Sequence, residues 1–254
     1  MDELIASLKA WRTWLAIAMD DVAGKYRRTV LGPLWLVMIQ AGFIAGLWLL
    51  HRNIYGAGTD NFLAYLAVGL PLWSLLTMLV VDSCDSLLKA RGLIDSYPLP
   101  MAVHLFRTVA TSLLMFAHSF VVSIVVLLAT REPLSLTTLL FLPGLAIIIV
   151  FGLGLALTLG PLAARFRDLL PAAQAGMNLL FVLTPVFWLP TPELRMSPLL
   201  QLNPFYHMME VVRGPLLGEV APQSWAIASA AALVTLVIGV VVFIRTRPQI
   251  TFWI

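Results

Sequence analysis

Six long apolar runs separated by short charged segments constrain this chain more than any other feature. They lie near Leu31–Leu50, Phe62–Val81, Leu105–Ala129, Thr138–Leu162, Leu169–Leu189 and Trp225–Ile244. Each approaches the roughly 20 residues a helix needs to cross the hydrocarbon core of a bilayer. Of the 254 residues, 60% are hydrophobic and only 11% charged, where an average soluble domain carries about 25% charged residues. A water-soluble fold of this length has too few charges to cover its surface. With 16 Gly, 16 Pro and a single Cys, collagen, low-complexity disorder and disulfide scaffolds are excluded as well. The chain reads as an all-α integral membrane protein, one transmembrane domain over 1–254 with six spans in 31–244.

Six spans put both termini on one side, and the basic residues say which. Twelve of the 16 Lys and Arg (Lys9, Arg12, Lys25, Arg27, Arg28, Lys89, Arg91, Arg107, Arg165, Arg167, Arg245 and Arg247) fall in the termini and the second and fourth loops. Arg52, Arg131, Arg195 and Arg213 fall in the other three. By the positive-inside rule both termini are cytoplasmic, with 245–254 a cytoplasmic tail. That asymmetry also accounts for the pI of 9.3; nucleic acid would need a basic patch on a soluble face. No cleavable signal peptide is evident in the charged, mixed first 30 residues.

Ahead of the first span, Leu4, Leu8, Trp11, Leu15, Ala18 and Val22 recur every three or four residues. Lys9, Arg12, Thr13, Asp20 and Asp21 take much of the other face. This pattern predicts an amphipathic helix within 1–30 lying in the cytoplasmic interface, with Trp11 and Trp14 at headgroup level. In the second loop Asp85–Asp95 predicts a short cytoplasmic helix, separated from the third span by Pro98 and Pro100. On the outer side, Ser197-Pro198 and Asn203-Pro204 each pair an N-cap residue with Pro at the first helical position. Two short re-entrant helices are expected there between spans five and six, the second stopping at Gly214.

Much chemistry is missing. All 29 charged residues, 16 basic and 13 acidic, fall outside the spans or at their ends, whereas ion-coupled carriers use ionisable groups inside the membrane. His118 in the third span fits better as a hydrogen-bonded packing residue. No phosphate-cradling loop occurs; Gly24-Lys25-Tyr26 lacks both the earlier glycine and the hydroxyl. His51, His104, His118 and His207 are too scattered for a metal site. What the spans offer is neutral. Gln40 lies in the first span and Gln174 and Asn178 share one face of the fifth, while Ser112, Ser119 and Ser123 line the third. Trp35, Trp48 and Trp188 sit near span ends as interfacial anchors; Phe43 and Phe181 lie deeper. Such faces suit an uncharged polar substrate such as sugar, and serve equally as glue between helices. Gly42 and Gly46 form a GxxxG that permits close helix approach.

Lys25-Tyr26-Arg27-Arg28 runs into Leu31-Gly32-Pro33-Leu34-Trp35 at the first span. Gly92-Leu93-Ile94 with Tyr97-Pro98, Arg165-Phe166-Arg167-Asp168, Thr184-Pro185-Val186-Phe187-Trp188, Asn203-Pro204 and Arg213-Gly214-Pro215-Leu216-Leu217-Gly218 follow in order, before Ile250-Thr251-Phe252-Trp253-Ile254. The ordered set resembles, over essentially the whole chain, the membrane subunits of type-2 ABC exporters for cell-surface polysaccharides. These are the permeases for O-antigen, capsule and teichoic acid. The second loop departs most, with Ala90-Arg91-Gly92 in place of a more polar Asn-containing stretch.

The resemblance implies a permease of the bacterial inner membrane with no catalytic site and no cofactor of its own. A homodimer would pair with two copies of a cytosolic ATPase that binds ATP and Mg, and would move a polysaccharide linked to undecaprenyl diphosphate through the bilayer. On this reading the substrate path follows the first and fifth spans at the dimer interface, along Trp35, Gln40 and Phe43 and along Gln174, Asn178 and Phe181. Leu93 and Ile94, with Arg165, Arg167 and Asp168, would meet the ATPase. Phe205, Met208, Met209 and Val212 would cap the path outside. Two rivals stand beside it: a type-2 ABC permease for a drug or lipid, and a membrane-embedded transferase acting on lipid-linked sugars. The transferase needs paired carboxylates or a metal at a membrane face, and Asp82 and Asp85 are its nearest candidates.

Overall fold

In a computed structural model, residues 2–27, 29–55, 60–131 and 135–254 are described, the side chains of 55, 60 and 61 apart; Arg28 of the basic cluster lies outside them. The described residues form helices joined by turns, without strands. In order they are α1 (Asp2–Lys9), α2 (Trp11–Tyr26), α3 (Leu34–Tyr55), α4 (Asp60–Lys89), α5 (Arg91–Ser96) and α6 (Ala102–Thr130). A 3₁₀ turn over Leu136–Leu140 leads into α7 (Phe141–Arg165). Then come α8 (Leu169–Leu183), α9 (Pro192–Arg195), α10 (Pro198–Gln201), α11 (Pro204–Leu216) and α12 (Pro222–Trp253).

Five of these, α3, α4, α6, α7 and α12, are long and apolar enough to cross a membrane. The stretch expected as a full span at Leu169–Leu189 is helical only to Leu183. Pro185 has no N–H to continue the ladder and drives Thr184 into extended backbone at φ −98°, ψ 137°. The other boundaries move for local reasons. The first span starts at Leu34, because Gly32 takes φ +53° in a turn where its N–H is held by the Thr29 hydroxyl. The second span runs on to Lys89, with Asp85 and Lys89 paired at 3.0 Å across one turn. The predicted helix Asp85–Asp95 is therefore two pieces broken at Ala90, the first a continuation of α4. The last span continues through 245–253 as helix, where a tail was expected.

α4 is the hub. In its most apolar stretch 78% of residues are buried, against 6% for α3; α6 and α7 pack along it, with α3 and α8 on its flanks. α7 and α12 cross closely because both are bare of side chain where they touch. A Cβ on Gly154 would stand 2.5 Å from the Leu236 nitrogen, and one on Gly239 2.5 Å from the Gly154 carbonyl.

α1 and α2, broken at Ala10, lie against the start of α6. Leu4, Ala18 and Val22 are buried as the periodicity predicts, while Leu8 and Trp11 face outward. Asp21, expected on the polar face, instead forms a two-pronged ion pair with Arg107 of α6, one bond being 2.6 Å. Glu3 accepts from the Met101 backbone N–H at 2.7 Å and from Arg247 at the end of α12. Both termini thus sit at one end of the bundle, and α9–α11 sit at the other. There the Asn203 side chain caps α11 through Phe205 and Tyr206 N–H. An additional turn, α9, precedes the two expected helices. α11 passes the expected stop at Gly214 and ends before Gly218, at φ +80°. Gly214 has another use: a Cβ there would stand 2.7 Å from the Glu219 carbonyl.

Candidate functional site

The middle of α4 carries an open cleft of about 420 Å³ between α3 and α8. Gln40 and Phe43 line it from α3, Asn178 and Phe181 from α8, and Trp73, Ser74 and Thr77 from α4. Four of the six residues expected along a substrate path therefore meet in one place, across a helix that sequence reasoning had not included. Trp35, at the start of α3, and Gln174, one turn before Asn178, are exposed outside it. The lining contains amides, hydroxyls and aromatic rings and no charged group. Thr77 Oγ1 is buried in that wall and has no hydrogen-bond partner among the described residues.

Trp73 is the residue the sequence reading missed. Its ring lies 5.8 Å from Phe181 and 6.1 Å from Phe205, and Phe181 lies 5.0 Å from Phe187. One aromatic chain thus runs from α8 across α4 to the start of α11, joining the cleft to a residue expected at the outer cap. The other cap candidates lie deeper: Met208, Met209 and Val212 are buried in the core. The only sequence sign of Trp73 was an indole far from either end of its apolar run, in a place where interfacial anchoring does not explain it.

By contrast, the serines of α6 are turned to packing, and one of them ties α6 to α4. Ser123 donates to the Ala67 carbonyl of α4 at 2.6 Å, and Ser112 and Ser119 donate within their own helix. His118 bonds the Leu114 carbonyl one turn back, at 2.6 Å.

At the end holding the termini, α5 has no buried residue; Leu93 and Ile94 are half-buried and Arg91 and Asp95 exposed. Arg165, the last residue of α7, and Arg167 and Asp168 in the turn that follows are all exposed. Arg165 places its guanidinium 5.2 Å from the Phe166 ring centroid and 5.3 Å from that of Trp253, which fixes the turn against the end of α12. Asp82 and Asp85 both face Lys89, at 3.9 and 3.0 Å.

At the opposite end stands a buried charge that sequence reasoning counted only as a loop residue. Arg213 is 1% exposed. It donates to the Pro185 carbonyl at 2.7 Å, pairs with Glu210 one turn back, and lies 4.0 Å over the Tyr65 ring. Tyr65 donates to the same Pro185 carbonyl at 2.6 Å. The carbonyl that the helix break frees is thus satisfied twice, and α4, α8 and α11 are tied at one point. Burial works against the charge on Arg213, but Tyr65 and Glu210 outweigh it and hold the group above its ordinary pKa. Burial likewise raises the Tyr206 phenol, which keeps its proton. Two residues of opposite charge three apart in an otherwise apolar helix were the available signal.

No protein-family model matches the chain. It is similar to the O-antigen export system permease protein RfbA of Myxococcus xanthus, with 26% identity over 213 residues and 82% of each chain covered. Two permeases of the same name from Klebsiella pneumoniae are each 24% identical over 198 residues, with 77% of this chain and 76% of theirs covered. The resemblance carried by the ordered motifs is borne out.

Proposed function

We propose that this chain is the membrane subunit of an ATP-driven exporter that passes polysaccharide, linked to undecaprenyl diphosphate, out across the bacterial inner membrane. The observation that carries the reading is the cleft on α4, lined by amides, hydroxyls and aromatic rings without a charge. A long neutral glycan needs weak, repeated contacts to slide; an ionic site deep in the membrane would arrest it. The similarity to O-antigen export permeases over about four-fifths of the chain supports the same substrate class.

The architecture fits six crossings. The 15 residues of α8 rise only about 22 Å, and Thr184–Pro190 completes the passage. Irregular backbone is tolerated at that depth where protein buries it, and Thr184, Pro185 and Val186 are buried. The charge asymmetry makes the end with the termini cytoplasmic, so α10 and α11 are re-entrant on the outer side. α3 and α8 leave Phe43, Gln174 and Asn178 exposed, and there is open space over Gly42, Gly46 and Gly176. A second copy related by a twofold axis covers these faces and closes the cleft into a path. Phe205, Met208, Met209 and Val212 then form the wall behind its outer end.

Two copies of a cytosolic ATPase bind the ATP and Mg, and they dock on α5, through Leu93 and Ile94, beside Arg165, Arg167 and Asp168. The transferase reading is weaker, because Asp82 and Asp85 are engaged by Lys89. The test is surface glycan in cells carrying Phe43→Ala or Phe181→Ala. Export falls while membrane level and ATPase assembly stay near normal. A drug or lipid permease with the same architecture would leave surface glycan unchanged, and that result would sink the proposal.

A further inference from the structure

Two adjoining cavities of about 270 and 420 Å³ open at the outward end, away from the cleft, and share Arg195, Glu210 and Glu219 in their walls. Their charges are matched. Arg195 pairs with Glu219 at 3.4 Å across the mouth, and Arg213 pairs with Glu210 at the base. Gln223 donates to Gln201 at 2.7 Å on the wall beside Tyr206. The base is rigid, since Arg213 and Tyr65 are both anchored on the Pro185 carbonyl and Asn203 holds Thr184 at 2.8 Å.

This balance selects its ligand. A phosphate would face two carboxylates, and a metal ion would face two guanidinium groups. A neutral hydroxylated ring suffers neither repulsion: each hydroxyl donates to a carboxylate and accepts from a neighbouring guanidinium or amide. The side of Tyr206 on the wall of the larger cavity adds apolar surface of the kind sugar sites use.

We propose that these paired charges form a second, exit-side binding site for a neutral sugar ring, separate from the cleft on α4. The inference rests on the polysaccharide reading and extends it. A unit of the chain that has emerged is held outside, which opposes backsliding while the ATPase resets.

Saturation-transfer NMR on the permease–ATPase complex in nanodiscs tests it, with methyl glucoside, methyl mannoside and methyl rhamnoside as probes and glycerol 3-phosphate for comparison. Glu219→Gln combined with Gln223→Ala alters two exposed wall residues and leaves the buried base intact. At least one glycoside receives saturation from the unchanged protein, and the double variant loses it by about fivefold or more, the ratio set by one net hydrogen bond. Phe43→Ala leaves this signal in place, which separates the site from the cleft. Absence of glycoside signal, a signal unchanged in the double variant, or stronger saturation of glycerol 3-phosphate overturns the inference. Loss of surface glycan in the cleft variants without any glycoside signal removes this site alone. Normal export by those variants, with the glycoside signal present, removes the cleft reading and keeps the sugar site.

Discussion

Replacing Arg213 by Ala is the sharpest test of how the outer end is held. The substitution removes the bond to the Pro185 carbonyl and the stack on Tyr65, and it strands Glu210, whose side chain is 13% exposed. Breaking a buried pair by removing one partner costs about 3–5 kcal/mol, because an uncompensated charge is left behind. For a chain of this size that corresponds to a fall in melting temperature on the order of 10 °C. Glu210→Ala strands Arg213 and costs about as much. Arg213→Met with Glu210→Leu removes both charges and keeps the volume, so its cost is only about 1–2 kcal/mol. Thermal challenge of the detergent-purified protein followed by size-exclusion chromatography reads all three. If the double variant is as unstable as the two single ones added together, the pair is not the source of the effect. If Arg213→Ala melts like the unchanged protein, the buried tie has no energetic role.

The α7–α12 crossing makes a second prediction. Gly154→Val or Gly239→Val drives a side chain into backbone and costs about 1–3 kcal/mol or more, while Gly46→Ala, over open space, leaves monomer stability unchanged. Equal melting temperatures for all three would refute the close crossing. Cysteines placed at 93 or 94 are expected to crosslink to the ATPase; labelling of either by a membrane-impermeant reagent from outside would overturn the orientation.

The all-helical membrane class, most of the spans and the helix starts at Pro198 and Pro204 were legible because each depends on neighbours in sequence, although the Ser197 hydroxyl donates back to the Leu194 carbonyl and only Asn203 caps its helix. A run of 20 apolar residues without an internal Pro that breaks it satisfies its backbone in a bilayer as a helix, and an Asn before Pro caps a helix with its own side chain. The pairing of Gln40 with Phe43 and of Asn178 with Phe181 was equally local, since each pair shares one side of a helix. That the two pairs face one cleft was not readable.

Sequence by itself determined which segments are apolar, which loops are basic and where two of the outer helices begin. Tertiary structure alone decided that α4 is the hub, that Trp73 joins Phe181 to Phe205, and that Asp21 turns inward to Arg107. It also decided that Arg213 is buried, and the reason is physical. A charge is classified by its environment, and the partners that make this burial tolerable, Tyr65 and the Pro185 carbonyl, lie 148 and 28 residues away along the chain. Periodicity sees one helix at a time, whereas the pairing of charge and the meeting of faces belong to how helices are placed against one another.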